Sequence, residues 1–152
     1  MKSLFLEEGS RYRVKRSSRQ ALGIEKRRRN AVSALILVSH GSTTQRPNPT
    51  LSNICRSLRV RMPFNHVCLA YLGPKLPNLE DQMRRLKGVG VRRIVVLPYF
   101  LHEGFHVSEE LPRLIRRFRR RWPDIHIRRT AFLGSHPALG DVCTELMEGL
   151  VG

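Results

Sequence analysis

Four short apolar segments alternate with stretches of helical periodicity between residues 34 and 150, and this alternation limits the folds open to the chain. The third segment, Arg93–Leu97, is a continuous run of branched apolar residues, which is typical of a parallel strand buried on both faces. The strands are predicted at Leu35–Val38, Val67–Leu72, Arg93–Leu97 and Ile125–Arg129. Such βα units predict an α/β fold, a doubly wound and mainly parallel four-stranded sheet with helices on both faces.

The helices that join these strands are predicted from caps and from apolar spacing. Pro49 begins the first, which extends to about residue 62, and Asn78 caps the second, which extends to Lys87. Ser108 is the predicted cap of the third helix, which extends to about residue 121. The last helix is predicted to begin at His136 and to extend to about Leu150. Short connections therefore return the chain from one strand to the next.

The chain is strongly basic, with a formal net charge of +16. Residues 1–33 hold ten Lys and Arg against three Glu and show no sustained apolar period, which predicts a basic N-terminal extension without fixed structure. Residues 34–152 form the predicted folded domain. The charge favours anionic partners, whether nucleic acid, a membrane surface or a polycarboxylate ligand, and does not choose among them.

Three cysteines lie far apart in the sequence, at Cys55, Cys68 and Cys143. This odd number without a CxxC pair predicts neither a disulfide framework nor a thiolate zinc site, and we expect core positions for these residues. No apolar run is long enough to cross a membrane, and no secretory signal is recognisable. We therefore expect a protein of the reducing cytoplasm that does not bind membranes.

His40 ends the first predicted strand, and His106 lies in the loop that follows the third. With the flavodoxin-like strand order 2-1-3-4, these strands are neighbours and the chain reverses direction between them. Ligands bind in the crevice beyond the carboxyl ends of the strands at that point. Two neutral imidazoles there suit Fe, Co, Ni or Zn, although each histidine taken singly is as well explained by a hydrogen bond to a loop carbonyl.

Other polar residues are weaker candidates. His102 and Glu103 lie in the loop of His106 and are either further metal ligands or solvated loop residues. No glycine-rich phosphate loop follows any predicted strand, so we expect no bound nucleotide. Histidine phosphatases have Arg-His-Gly after the first strand, and Ser39 replaces that arginine here. Six arginines between residues 113 and 121 form either a solvated helix face or an attractive surface for an anion.

Five ordered motifs across residues 33–150 together resemble one family, the class II tetrapyrrole chelatases of the sirohydrochlorin cobaltochelatase and ferrochelatase type, in their short single-domain form. The motifs are Leu37–Ser42, Ala70–Leu72 followed by Pro77–Leu79, Arg92–Leu101, Gly104–Val107 with Glu110–Pro112, and Leu133–Leu139. Any one of these motifs is weak, and the ordered set is fairly specific. The fold of that family is the one predicted above from the strand and helix pattern.

The resemblance implies a lyase that inserts Co, Fe or Ni, as a substrate ion, into sirohydrochlorin or a related tetrapyrrole without ATP, for sirohaem or cobalamin-type cofactor biosynthesis. It assigns His40 and His106 as the metal-binding catalytic pair. The neighbouring residues Gly41, Ser42, Gly104 and Phe105 are assigned to contact with the tetrapyrrole. Short members of the family are homodimers, so the resemblance also implies a homodimer.

One position departs from the family pattern. Many members have a glutamate after the aromatic-Leu pair that ends strand two, and this chain has Gly73 there. Glu103 is a hypothetical replacement from the facing loop. Two other functions stay open: a non-catalytic chelatase-like domain that binds metal or tetrapyrrole, and a basic nucleic-acid-binding protein. The second has little support, because no aromatic residues are interleaved with the basic ones.

Overall fold

A computed structural model of the chain describes residues 32–41 and 48–148. Most of the predicted extension 1–33 lies outside the described residues, as does Ser42. No helix in the part of the chain that is described is long and apolar enough to span a membrane.

The sheet has four parallel strands in the order β2-β1-β3-β4, so the predicted fold class is confirmed, and the strand order is the one assumed in placing His40 beside His106. The strands are β1 (Ser33–His40), β2 (His66–Leu72), β3 (Arg93–Pro98) and β4 (His126–Arg129). Most begin or end one or two residues away from the predicted bounds, because hydrogen bonding continues past the apolar run. In β1 the strand continues to His40, which is paired with Leu72.

Four α-helices connect or follow the strands: α1 (Pro49–Arg61), α2 (Leu79–Gly88), α3 (Leu111–Arg121) and α4 (Ala138–Glu148). A π-helical turn, His106–Glu110, precedes α3, and a 3-10 turn, Leu133–Ser135, precedes α4. Asn78 caps α2 as predicted, since its side-chain oxygen accepts a hydrogen bond from the Asp81 amide at 2.9 Å.

Alternation of side chains along β1 separates two hydrophobic layers. Ala34, Ile36 and Val38 face a layer built with α2 and α3. Leu35 and Leu37 face a second layer, built mainly with α1. This second layer is thinner, because Val95, Leu97 and Tyr99 on the β3 side are only partly buried. Helices therefore cover the two faces unequally.

The last helix, α4, buries none of its residues. Its apolar residues Val142, Leu146 and Met147 are exposed, and so is Cys143, which corrects the expectation that all cysteines lie in the core. Cys55 and Cys68 are buried as expected. Burial raises the pKa of the Cys55 thiol, so this side chain stays protonated and unreactive.

Ser108 does not cap the third helix, contrary to the prediction. The helical path begins earlier, because the Gly104 carbonyl already accepts the Val107 and Ser108 amides at 2.8 and 2.9 Å. The Ser108 hydroxyl donates to the same carbonyl at 3.1 Å and is thus used inside the turn. His136 likewise precedes the last helix: its Nδ1 accepts the Ala138 amide at 3.2 Å.

Gly134 packs directly on the loop that follows β3. Its amide donates to the Phe100 carbonyl at 2.8 Å. A β-carbon at this position would lie 1.6 Å from the Leu101 carbonyl oxygen, so only glycine fits without moving the backbone. The 3-10 turn thereby fixes the first residues of the loop that carries His106.

Glu80, in the first turn of α2, joins this helix to α3. Its carboxylate pairs with Arg84 at 2.7 Å, with Arg121 at 3.0 Å and with Arg117 at 3.7 Å. The Arg84 hydrogen bond, with the charges of the other two arginines, lowers the pKa of Glu80 below its ordinary value.

We expect Glu80→Gln to lower the free energy of unfolding at pH 7 by about 1 kcal/mol at most, since these pairs are partly solvated. A lowered carboxylate pKa stabilises the fold above the unfolded value and ceases to do so as pH falls through the folded value. The difference between wild type and variant should therefore shrink below about pH 4. Urea unfolding at several pH values measures it. Glu109→Gln, at an exposed position, is the control, and a pH-independent difference would contradict the assignment.

Candidate functional site

The carboxyl ends of β1 and β3 lie side by side and bring two predicted site residues to one edge of the sheet. Val38 is paired with Pro98, and the Tyr99 amide donates to the Val38 carbonyl at 2.7 Å. The chain leaving β3 therefore begins next to the last two residues of β1. His40 stands at this edge and is exposed.

The rings of His40 and His106 are in contact, with the edge of one directed at the face of the other. Their centroids are 4.1 Å apart, and their planes are perpendicular, at 90°. The Phe100 ring lies close to both, edge-on to His40 at 5.5 Å between centroids and nearly parallel to His106 at 6.4 Å. The structure thus brings the two predicted histidines together, within reach of one ion.

The π-helical turn that holds His106 depends on a proline. The Leu111 amide donates to the His106 carbonyl, five residues back. The next residue, Pro112, has no N–H, so the Val107 carbonyl has no backbone donor in this register. Arg129 of β4 supplies one, with its Nη1 at 2.9 Å from the Val107 oxygen. Turns of this type are frequent at functional sites.

Glu110 is a site residue that the sequence reasoning missed. Its Oε2 is in contact with Nδ1 of His106. The spacing of four residues on a helical segment was the available signal, since side chains four positions apart are neighbours on a helix surface. The sequence reasoning had used this glutamate only as part of a family motif.

The other predicted residues of the His106 loop are exposed. Gly104 contributes its carbonyl to the turn, and the Phe105 ring lies 6.0 Å from that of His106. His102 and Glu103 have no hydrogen bond or ion pair with other described residues. Within residues 32–41 and 48–148, no group of three or more His, Cys, Asp or Glu side chains is arranged to hold a metal ion. A ligand role for His102 or Glu103 stays a prediction.

The side chain of Lys75 contacts Gly41, the residue that follows His40. A β-carbon on Gly41 would lie 3.1 Å from Cβ of Lys75, so the lysine stem packs against this glycine. Its Nζ lies 4.9 Å from the centroid of the Tyr71 ring. Nothing in the sequence pattern had indicated Lys75, because the contact joins two loops.

Gly73 lines a cavity of about 240 Å³ beside the site, together with Glu80, Glu110 and Phe118. Its φ angle is +83°, in the left-handed region that favours glycine. A β-carbon there would meet no atom within 4 Å. The backbone at position 73 therefore disfavours the glutamate that the family pattern has there. Glu110 lines the same cavity from the π-helical turn.

The arginine cluster on α3 divides into two sets. Arg119 donates to the Ile127 carbonyl on edge strand β4, at 3.1 Å from Nε and 2.6 Å from Nη2. Arg117 and Arg121 pair with Glu80. These contacts are structural. The remaining arginines of α3 are exposed and have no ion pair within the described part of the chain: Arg113, Arg116 and Arg120.

Comparison with protein families gives a match to the CbiX model over residues 34–149. Among curated proteins, the sirohydrochlorin cobaltochelatase of Priestia megaterium is 26% identical over 121 residues, which cover 79% of this chain. The chloroplastic sirohydrochlorin ferrochelatase of Arabidopsis thaliana is 26% identical over 143 residues, or 94% of this chain. This chain spans only 39% and 64% of the lengths of these relatives.

Solved structures show the same fold. A CbiX protein from Marinobacter aquaeolei VT8 has a TM-score of 0.62 at 24% identity, covering 77% of this chain and 95% of that protein. The sirohydrochlorin chelatase SirB of Bacillus subtilis subspecies spizizenii, in complex with cobalt, has a TM-score of 0.69 at 19% identity. That match covers 78% of this chain and 50% of SirB.

The geometry at Gly73 yields a stability prediction. We expect Gly73→Ala and Gly73→Glu each to lower the free energy of unfolding by about 1 kcal/mol, because both place a β-carbon on a left-handed backbone and that β-carbon meets no atom within 4 Å. Chemical denaturation measures both. A glutamate variant as stable as wild type would show that the backbone at 73 adapts readily to the family residue.

Proposed function

Because this chain belongs to the CbiX family, we propose that it inserts a divalent metal ion into sirohydrochlorin or a related tetrapyrrole without ATP. The observation that carries this proposal is the perpendicular pair of imidazoles, 4.1 Å apart, at the carboxyl edge of β1 and β3. The names of the curated relatives supply the substrate, and cobalt and iron are the metals they name. Nickel is equally suited to two imidazoles.

The small number of ligands fits a site that must release its ion. A metal ion held by two imidazoles keeps other positions of its coordination shell for water or substrate nitrogens. The ring nitrogens of a tetrapyrrole outnumber the imidazoles, so transfer to the macrocycle is favourable once the pyrrole protons are lost. An imidazole that has given up the ion has a free lone pair and is a suitable acceptor for such a proton. A four-ligand protein site would compete with the product.

The surroundings of the pair suit a flat, anionic substrate. Phe105 is 56% exposed beside His106 and offers an apolar surface to a macrocycle. The stem of Lys75 packs against Gly41, next to His40. The net charge of +16 attracts a polycarboxylate from a distance. The cytoplasmic location and the absence of a nucleotide requirement stay predictions.

The test is a chelation assay. Mixing the protein with sirohydrochlorin and Co²⁺ should change the absorbance faster than the spontaneous reaction does. We expect His40→Ala and His106→Ala each to slow the reaction by roughly 100-fold or more, since each removes one of the two imidazoles that hold the ion. Fe²⁺ and Ni²⁺ in parallel give the metal preference.

His126→Ala is the matched control. His126 is exposed at the amino end of β4, whereas the site lies at the carboxyl ends of the strands. Removal of this side chain should leave the rate unchanged. No acceleration by wild type, together with tight Co²⁺ or tetrapyrrole binding, would favour the non-catalytic binding domain. Strong, salt-dependent binding to duplex DNA, without chelation and without binding of Co²⁺ or tetrapyrrole, would favour the nucleic-acid function.

We also propose that the protein is a homodimer in which α4 of one copy packs on the other. The apolar residues of α4 share one face at helical spacing and are exposed, and the β3 side of the second hydrophobic layer is only partly covered. In a two-fold dimer the same patch of each copy covers its partner, so exchange of these helices buries both apolar surfaces at once.

Leu146→Glu should weaken this dimer, raising its dissociation constant roughly 10-fold or more, because it places a charge in the centre of the apolar face. Thr144→Glu adds the same charge on the polar face of α4 and should leave the dissociation constant of the dimer unchanged. Analytical ultracentrifugation over a concentration series compares the three proteins. A monomeric wild type at micromolar concentration, or a fully dimeric Leu146→Glu variant, would contradict the proposal.

A further inference from the structure

The two imidazoles of the site have unequal surroundings. His106 is held by Glu110, whose Oε2 contacts Nδ1 of the ring. His40 has ring contacts with Phe100 and His106 but no hydrogen bond or ion pair to any residue in the described ranges. One ring of the pair is therefore fixed in position and the other is not.

The Glu110 contact selects the tautomer of His106. An ionised carboxylate accepts hydrogen bonds and cannot donate them, so Nδ1 of His106 must carry the proton in this contact. The lone pair of the neutral ring is then on Nε2. That nitrogen is the one left to coordinate a metal ion, as in other sites where a carboxylate holds a ligating histidine through its second nitrogen.

The backbone holds Glu110 in place for this task. His106 and Glu110 are the first and last residues of the π-helical turn, which is closed by the bond from Leu111 to His106. Arg129 completes the turn at Val107. The carboxylate side chain is 28% exposed and the His106 side chain 37%, so the contact is partly shielded from water.

We propose that Glu110 is a positioning residue that makes His106 the anchoring ligand of the substrate metal and leaves His40 as the exchangeable one. This inference rests on the metal-insertion function proposed above. During transfer, the bond to His40 is the first protein–metal bond to be replaced by a ring nitrogen. His106 holds the ion until the macrocycle has taken it over.

The first measurement needs no substrate. Long-range ¹H–¹⁵N spectra at about pH 8, where an ordinary imidazole is neutral, report the protonated nitrogen of each histidine ring. In wild type we expect His106 as the Nδ1–H tautomer and His40 as a mixture. In Glu110→Ala, His106 should change to a mixture as well. A wild-type His106 protonated on Nε2 would overturn the proposal without any variant.

The second measurement is the affinity for Co²⁺ alone, by competition with a chelating dye. Loss of a carboxylate behind a ligating histidine weakens metal binding roughly 10- to 100-fold, and we expect this for Glu110→Ala. Glu110→Gln keeps an acceptor oxygen and should retain the tautomer and most of the affinity. Glu109→Ala removes an adjacent, exposed glutamate and should change neither quantity.

The unequal roles have their own test. His106→Ala should weaken Co²⁺ binding more than His40→Ala does, and equal losses would overturn the assignment of anchor and exchangeable ligand. Chelation by wild type remains a separate result. If wild type inserts metal while Glu110→Ala keeps both tautomer and affinity, this inference fails and the proposed function stands. If wild type does not insert metal, the proposed function fails, whatever the Co²⁺ results.

Discussion

Parallel pairing between β1 and β3 is the constraint on which the candidate site depends. Parallel strands end at the same edge of a sheet, so the loops that follow β1 and β3 begin within one strand spacing of each other, although His40 and His106 are 66 residues apart in sequence. The return connection through α2 reverses the direction in which strands are added. The crevice left at that reversal is where His40 and His106 meet.

Half of the arginines on α3 hold the fold together. Arg119 satisfies a carbonyl on the exposed edge of β4, and Arg117 and Arg121 join α3 to α2 through Glu80. These contacts reduce the set of arginines that are left for a polyanion. They also explain why a helix with such a high positive charge density stays packed against its neighbours.

The sequence predicted the strands and, given an assumed flavodoxin-like strand order, the meeting of His40 and His106, because the strands follow from local apolar runs and the meeting from the topology of short βα connections. It did not predict features that arise from backbone detail. The π-helical turn changes which residues cap α3, so Ser108 was assigned wrongly and Glu110 was overlooked. The left-handed backbone at Gly73 and the exposure of α4 depend on packing between distant segments, which periodicity does not encode.

The bond from Arg129 to the Val107 carbonyl has a consequence for the motions of the protein. Edge strands separate from a sheet more readily than central ones, and β4 is the shortest strand here. Because its arginine completes the turn that carries His106, local opening of β4 would also release that turn. The outermost strand and the turn that carries His106 are thus joined by this hydrogen bond, and the turn keeps it only while the edge of the sheet is closed.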